Sequence, residues 1–170
     1  VGYRYFETAA KDKVQYPFGY GLSYTQFEIK GNLGEIGEEE VFVEVRVKNT
    51  GNCAGKEVVQ VYVRQPQGKL GKPERVLAGF KKTKELAPGE SVQLSVRCPK
   101  WYFAAYDDSG CTGKKSAFLL EEGTYEIFTG SDVRTAKYSG SWTQKLQIIE
   151  VLEEAAAPTR GFKRFVRRDS

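Results

Sequence analysis

Two pairs of neighbouring carboxylates, Asp107-Asp108 and Glu121-Glu122, are the residues of this chain best suited to acid–base work. Glycosidic cleavage needs two carboxyl groups facing each other across a cleft, about 5 to 9 Å apart depending on mechanism. Here the members of each pair are adjacent and sit among turn formers, where Asp, and Glu next to Gly, are favoured for backbone reasons alone. The turn reading is preferred for both pairs. Trp101, Tyr102 and Trp142, with Tyr106 close by, offer a second chemistry, because sugars stack on exposed aromatic rings. Core or interdomain packing uses the same residue types. Trp101, Tyr102 and Trp142 are therefore carried forward as candidate sugar contacts beside that plainer use.

Absent residue types narrow the field further. The chain has no His, which removes Ser-His-Asp and Cys-His catalysis, His-ligated zinc and a histidine pH switch. Cys53, Cys98 and Cys111 are odd in number and widely spaced, which fits neither a disulfide framework nor a CxxC metal or redox site; idle or buried thiols are expected. Gly19-Tyr20-Gly21 lacks the third glycine and the following helix that a phosphate cradle requires. No metal, cofactor or catalytic residue is expected within this chain. There is also no Met, so Val1 is expected not to be an encoded start and the chain to be a fragment or processed product.

The net charge of +4 is concentrated at one end. Arg160, Lys163, Arg164, Arg167 and Arg168, against Asp169 alone, account for all of it and leave the body formally neutral. A basic face for nucleic acid is not indicated. The interleaving of these cations with Phe162 and Phe165 suits either an anionic surface or a solvated linker whose Phe rings dock on a neighbouring domain, and the linker is preferred. No apolar run approaches the ~20 residues of a bilayer span, so no membrane partner is expected.

Any such groups must be positioned by strands. Val41, Val43, Val45 and Val47 alternate strictly, the mark of a half-buried strand, and the chain restarts after Asn49-Thr50-Gly51-Asn52 as Lys56 to Arg64. Gln65 to Pro73 is rich in turn formers and polar residues and is expected to be an exposed loop. Further strands are expected at Glu74–Phe80, at Ser91–Arg97 after the Pro88-Gly89 turn, at Phe103–Asp107, at Ala117–Leu120 and at Thr124–Thr129, with Ser23–Lys30 leading. Seven or so short strands without long helical periods predict an all-β, immunoglobulin-like sandwich. Residues 1–22 hold four Tyr and two Phe without alternation and are expected to be an extended lead. Tyr16, Phe18, Tyr20 and Tyr24 are the candidates for docking on another domain. Residues 137–170 are expected to form a linker or docking tail, extended over Trp142–Val151 and with a helical turn or two over Leu152–Ala157.

Tyr16-Pro17-Phe18-Gly19-Tyr20-Gly21-Leu22-Ser23-Tyr24-Thr25 resembles the segment that leads into the fibronectin type III-like domain of family 3 glycoside hydrolases of the β-glucosidase type. Val47 to Gly51, Gly55 to Tyr62, Leu77 to Lys82, Leu86 to Glu90 and Glu122 to Ile127 continue the likeness in order, and Val1 to Phe6 is similar to the end of that family's α/β sandwich domain. The resemblance implies a fibronectin type III-like β-sandwich over residues 23–136 and a non-catalytic accessory role, bracing catalytic domains located elsewhere. The alternative is a carbohydrate-binding module using exposed aromatics. It further implies a parent that is a retaining β-glucosidase, with an Asp nucleophile on a barrel and a Glu acid/base on or near the α/β domain. Ser131-Asp132 lacks the Trp of the nucleophile motif, so Asp132 receives no catalytic role. Leu146 to Ser170 resembles the connector of permuted members, in which the barrel follows, and such bacterial enzymes are commonly cytoplasmic. The expected partners are the catalytic domains of the same parent chain, then carbohydrate, then further copies of the parent.

Overall fold

The computed structural model describes residues 2–152, so the expected turn at Leu152–Ala157 and the basic arm at 160–168 lie outside the described residues, Leu152 excepted. Ten strands are present among the described residues: β1 (Phe27–Ile36), β2 (Glu40–Asn49), β3 (Val58–Arg64), β4 (Val76–Lys82), β5 (Ser91–Pro99), β6 (Ala105–Asp107), β7 (Ala117–Leu120), β8 (Gly123–Gly130), β9 (Lys137–Gln144) and β10 (Gln147–Val151). They pair antiparallel as β1-β2-β5, β4-β3-β8-β9 and a smaller β10-β7-β6 sheet.

The two larger sheets close over one core, and the alternation read in the sequence is what builds it. Val41, Val43, Val45 and Val47 are fully buried and lie opposite Cys98, Val96, Leu94 and Val92 of β5. From the other sheet come Val59, Val61, Val63, Val76, Ala78, Tyr125, Ile127 and Trp142. Each fully buried Val contributes roughly 1.5–3 kcal/mol relative to exposure, so β2 alone anchors much of the fold. Phe103, Tyr125 and Trp142 fill the wider part of the interior, with ring centroids 5.1 to 6.2 Å apart.

One turn is held by a side chain. Asn49 is fully buried; its Oδ1 accepts from Thr25 Oγ1 (2.7 Å) and the Gly51 amide (3.1 Å), and its Nδ2 donates to the carbonyls of Cys53 (2.8 Å) and Leu86 (2.9 Å). All four of its hydrogen-bonding positions are used. Gly51 is required here by closeness, since a Cβ would lie 2.2 Å from Thr25 Oγ1.

Three expected boundaries shift. The lead is not wholly extended: α1 (Tyr3–Ala9) and a 3-10 turn at Lys11–Lys13 precede the irregular stretch. Residues 137–151 are not linker, because β9 pairs with β8, placing Trp142 beside Tyr125, and β10 pairs with β7. The loop at Gln65–Pro73 is not simply exposed, since Gln65, Leu70 and Lys72 are buried. No helix among the described residues is long and apolar enough to cross a bilayer.

Candidate docking face and aromatic surface

β3 is covered on both sides. Val59, Val61 and Val63 face the core, while Gln60 and Tyr62 face outward and are buried all the same. Their cover is the N-terminal lead. Tyr3 packs on the Tyr62, Val133 and Ala136 cluster, accepts the Leu77 amide on its hydroxyl (2.8 Å) and stacks on Phe18 with centroids 4.1 Å apart. Thr8 Oγ1 accepts the Glu74 amide (2.9 Å), and the Val133 amide donates to the Phe18 carbonyl (3.0 Å). The Tyr62 hydroxyl donates to Gln60 Oε1 at 2.5 Å, and the Gln60 amide nitrogen donates to the carbonyls of Gly19 and Ser131. Gly19 lies so close that a Cβ would meet the Gln60 side chain at 2.3 Å, and its φ of +86° is one that side-chain-bearing residues rarely adopt. Burial raises the Tyr62 phenol well above its ordinary range.

Held in this way, the lead turns other rings to the outside. Tyr16 and Tyr20 stack with centroids 5.0 Å apart and both are exposed. Leu22 is 90% and Tyr24 100% exposed. Of the four expected docking residues, Tyr16, Tyr20 and Tyr24 are exposed, and Tyr16 and Tyr20 lie together. Phe18 is divided, partly exposed and partly bound to Tyr3.

One member of each acidic pair, Asp107 and Glu121, is a loop staple. Asp107 is fully buried, and burial works against its charge, but donors from Thr112 and Ser109 outweigh this and hold its carboxyl well below the usual carboxylate range. Its oxygens accept from the amides and hydroxyls of Ser109 and Thr112 and from the Gly110 amide, at 2.7 to 3.1 Å. The Glu121 carboxylate accepts the amides of Lys69 (2.6 Å) and Leu70 (3.0 Å) and the Lys72 ammonium, which pins the Gln65–Pro73 loop to the β7–β8 turn. Asp132 accepts the amides of Arg134 and Thr135 (both 2.8 Å) and the Thr135 hydroxyl (2.6 Å). A carboxylate committed to so many donors is a turn-forming group.

The three candidate sugar contacts separate. Trp142 is 7% exposed, ring-stacked on Tyr125 in the core, with Nε1 donating to Gln144 Oε1 (3.2 Å); it offers no face to a ligand. Trp101 and Tyr102 are exposed on the 3-10 turn Lys100–Phe103. Trp101 donates from Nε1 to Glu150 Oε2 (3.1 Å) and lies 4.9 Å from the Phe118 ring, which is 5.0 Å from Tyr106. The surface row is thus Trp101, Phe118 and Tyr106. Phe118 was missed because Ala117–Leu120 reads as an apolar run in which no position stands out.

Of the cysteines, Cys98 is buried and free, and burial pushes its thiol up to about 12, while Cys53 and Cys111 are exposed and free. No group of three or more Cys, Asp or Glu among the described residues is placed to hold a metal ion.

Comparison with known proteins agrees with this architecture. Residues 57–133 match the model of the fibronectin type III-like domain. A β-glucosidase of Ruminococcus albus is 53% identical over 98% of the chain, which corresponds to 18% of that protein. The structure of a β-glucosidase from Paenibacillus barengoltzii superposes with a TM-score of 0.88 at 47% identity, over 99% of this chain and 20% of that one. A Bifidobacterium adolescentis GH3 β-glucosidase gives 0.76 at 31% identity, over 92% and 23%. The chain thus spans about a fifth of the length of the relatives it matches. A doubly covered central strand, an aromatic lead and these likenesses together identify the chain as a fibronectin type III-like accessory domain of the kind found in family 3 β-glucosidases.

Proposed function

We propose that this domain braces the catalytic domains of a larger retaining β-glucosidase, with Tyr16, Tyr20, Leu22 and Tyr24 as its contact surface. The observation that carries the reading is the two-sidedness of the lead. Its inner side is fixed to Gln60 of β3 through Gly19, to Leu77 of β4 through Tyr3, and to Glu74 and Val133 beside the sheet through Thr8 and Phe18, so its outer rings are presented on a stiff support. Rings exposed on such a support gain free energy by being covered, about 25 cal/mol per Å² of apolar surface. A rigid brace matters to turnover because small misplacement of reacting groups is costly. The bonds cut by the parent are β-glucosidic, as the names of the relatives suggest. Association of the parent with itself would bring two such braces together. The unpaired thiols suit a reducing compartment, and we place the parent in the bacterial cytoplasm.

The test is replacement of Tyr16, Tyr20, Leu22 and Tyr24 by Ser in the whole enzyme. A melting temperature lowered by several degrees, with reduced turnover of an aryl β-glucoside, is expected. Unchanged melting and turnover would discard the brace.

A further inference from the structure

A cleft of about 460 Å³ at the Trp101 end of the aromatic row joins apolar surface to negative charge. It lies between the bend at Glu38 and Glu39, Trp101 on the 3-10 turn, and the start of β10. Its walls are tied to one another: Gln147 Nε2 donates to the Glu38 carbonyl (2.9 Å), the Lys100 amide to the Glu39 carbonyl (2.9 Å), and the Lys100 ammonium to Gln147 Oε1 (3.2 Å). Trp101 and Ile148 are each nearly half exposed in it. Glu38 and Glu39 are exposed, and Glu150 accepts the Trp101 indole N–H. The two cations present are already engaged, Arg97 by Glu40 and the buried Lys100 by Gln147, with Glu38 acting on it as a counter-charge. Four carboxylates thus stand against two cations around one accessible indole.

We propose that this cleft receives the chain's own basic arm, residues 160–168, with Phe162 or Phe165 against Trp101 and Ile148 and the arm's arginines facing Glu38, Glu39 and Glu150. Charge complementarity is the first argument: the arm holds Arg160, Lys163, Arg164, Arg167 and Arg168 and no carboxylate, and arginine is also attracted to the face of an indole. Reach is the second. The Leu152 amide is bonded to the Ser116 carbonyl (2.7 Å), which fixes the point from which the arm sets out. Ile148 lies four residues back, roughly 13 Å along β10. The eight residues from Leu152 to Arg160 span up to about 28 Å, more than enough to return. The other groove with exposed rings, between Phe80 and Tyr102, has Arg97 as its only charged lining residue among the described residues, so it offers a cationic segment nothing. The proposal goes beyond the brace, since it concerns the far end of the chain, and it seats the phenylalanines of the arm on their own domain instead of a neighbouring one.

The test compares amide spectra of the ¹⁵N-labelled 170-residue chain with those of Phe162→Ser/Phe165→Ser. Differences are expected at the Trp101 indole N–H and at the amides of Glu38, Glu39, Gln147 and Ile148. They should be independent of protein concentration and should shrink in about 0.5 M salt, where charges are screened over a few ångströms. Glu38→Lys/Glu39→Lys, at two exposed positions, is expected to leave the melting temperature unchanged while tryptic cleavage after Arg160, Lys163 and Arg164 becomes several-fold faster. Superimposable spectra, differences located on the Tyr16 and Tyr20 surface, or equal cleavage rates would overturn the proposal. So would differences that grow with protein concentration, since the arm would then be seated on a second copy.

Discussion

Glu7 and Arg134 lie 127 residues apart and form an ion pair, with Arg134 Nε 2.9 Å from Glu7 Oε1. Arg134 also donates to the Lys11 carbonyl (2.9 Å), so one guanidinium ties the second half of α1 to the start of the 3-10 turn that follows it. Glu7 is buried and Arg134 is about one-third exposed, which makes the carboxylate the partner that suffers when the pair is broken. Arg134→Ala is expected to cost about 1–3 kcal/mol. Limited proteolysis should show earlier cleavage between α1 and β1 than in the parent sequence. An unchanged cleavage pattern would mean that Tyr3 and Thr8 hold the lead without this pair.

Asn49 gives a sharper expectation. Asn49→Ala removes four hydrogen bonds and leaves the Leu86 carbonyl without its side-chain donor in a buried turn. A loss of about 2–3 kcal/mol follows, seen as a lower denaturant midpoint at unchanged slope.

Lys72 and Glu121 test the loop. Their side chains are 2% and 8% exposed, so Lys72→Met leaves a carboxylate buried beside two backbone donors and is expected to cost about 3–5 kcal/mol. A stability within error of the parent sequence would show that water reaches Glu121 once the lysine is gone.

Asp107 sets a response to acid. Its folded pKa lies below the ordinary value of 3.8, so its contribution is present above about pH 4 and is lost as pH falls further. Denaturant midpoints measured downward from about pH 6 should fall more steeply for the native sequence than for Asp107→Asn. Parallel curves would remove Asp107 from the acid response.

Tyr62 and Tyr125 set the opposite response. Burial raises both phenols above the ordinary value of 10.0, so their contribution is intact below that pH and is lost as pH rises beyond it. Tyrosinate absorbance should develop in two phases, exposed rings first and these two only with unfolding. Tyr125→Phe should make the alkaline loss of stability shallower, and an unaltered slope would exclude Tyr125 as its source.

The extent to which sequence foretold structure varies with the range of the interactions involved. Val41 to Val47 were legible because alternation is a local signal and the partner strand only has to be apolar. Lys137 to Gln144 was not, because Lys-Tyr-Ser-Gly-Ser-Trp-Thr-Gln has little aliphatic alternation and becomes a strand through pairing with β8. Trp101 and Trp142 are chemically alike, and only the position of Tyr125 and Phe103 decides which one is enclosed. Lys72 looked like a solvated loop residue until Glu121, 49 positions further on, supplied its counter-charge. The helix in the lead was hidden for a similar reason: α1 has no side-chain cap, and its support comes from Leu77, Glu74 and Arg134. Helices this short rely on tertiary contacts far more than on their own propensity.

The double cover of β3 has a mechanical meaning. A pull on α1 does not stretch a loose tether; it loads Tyr3, Glu7 and Gly19, and through Tyr62, Arg134 and Gln60 it reaches the middle of a sheet. To part this end of the chain from the sandwich is therefore to break its bonds to the central strand and to its neighbour β4.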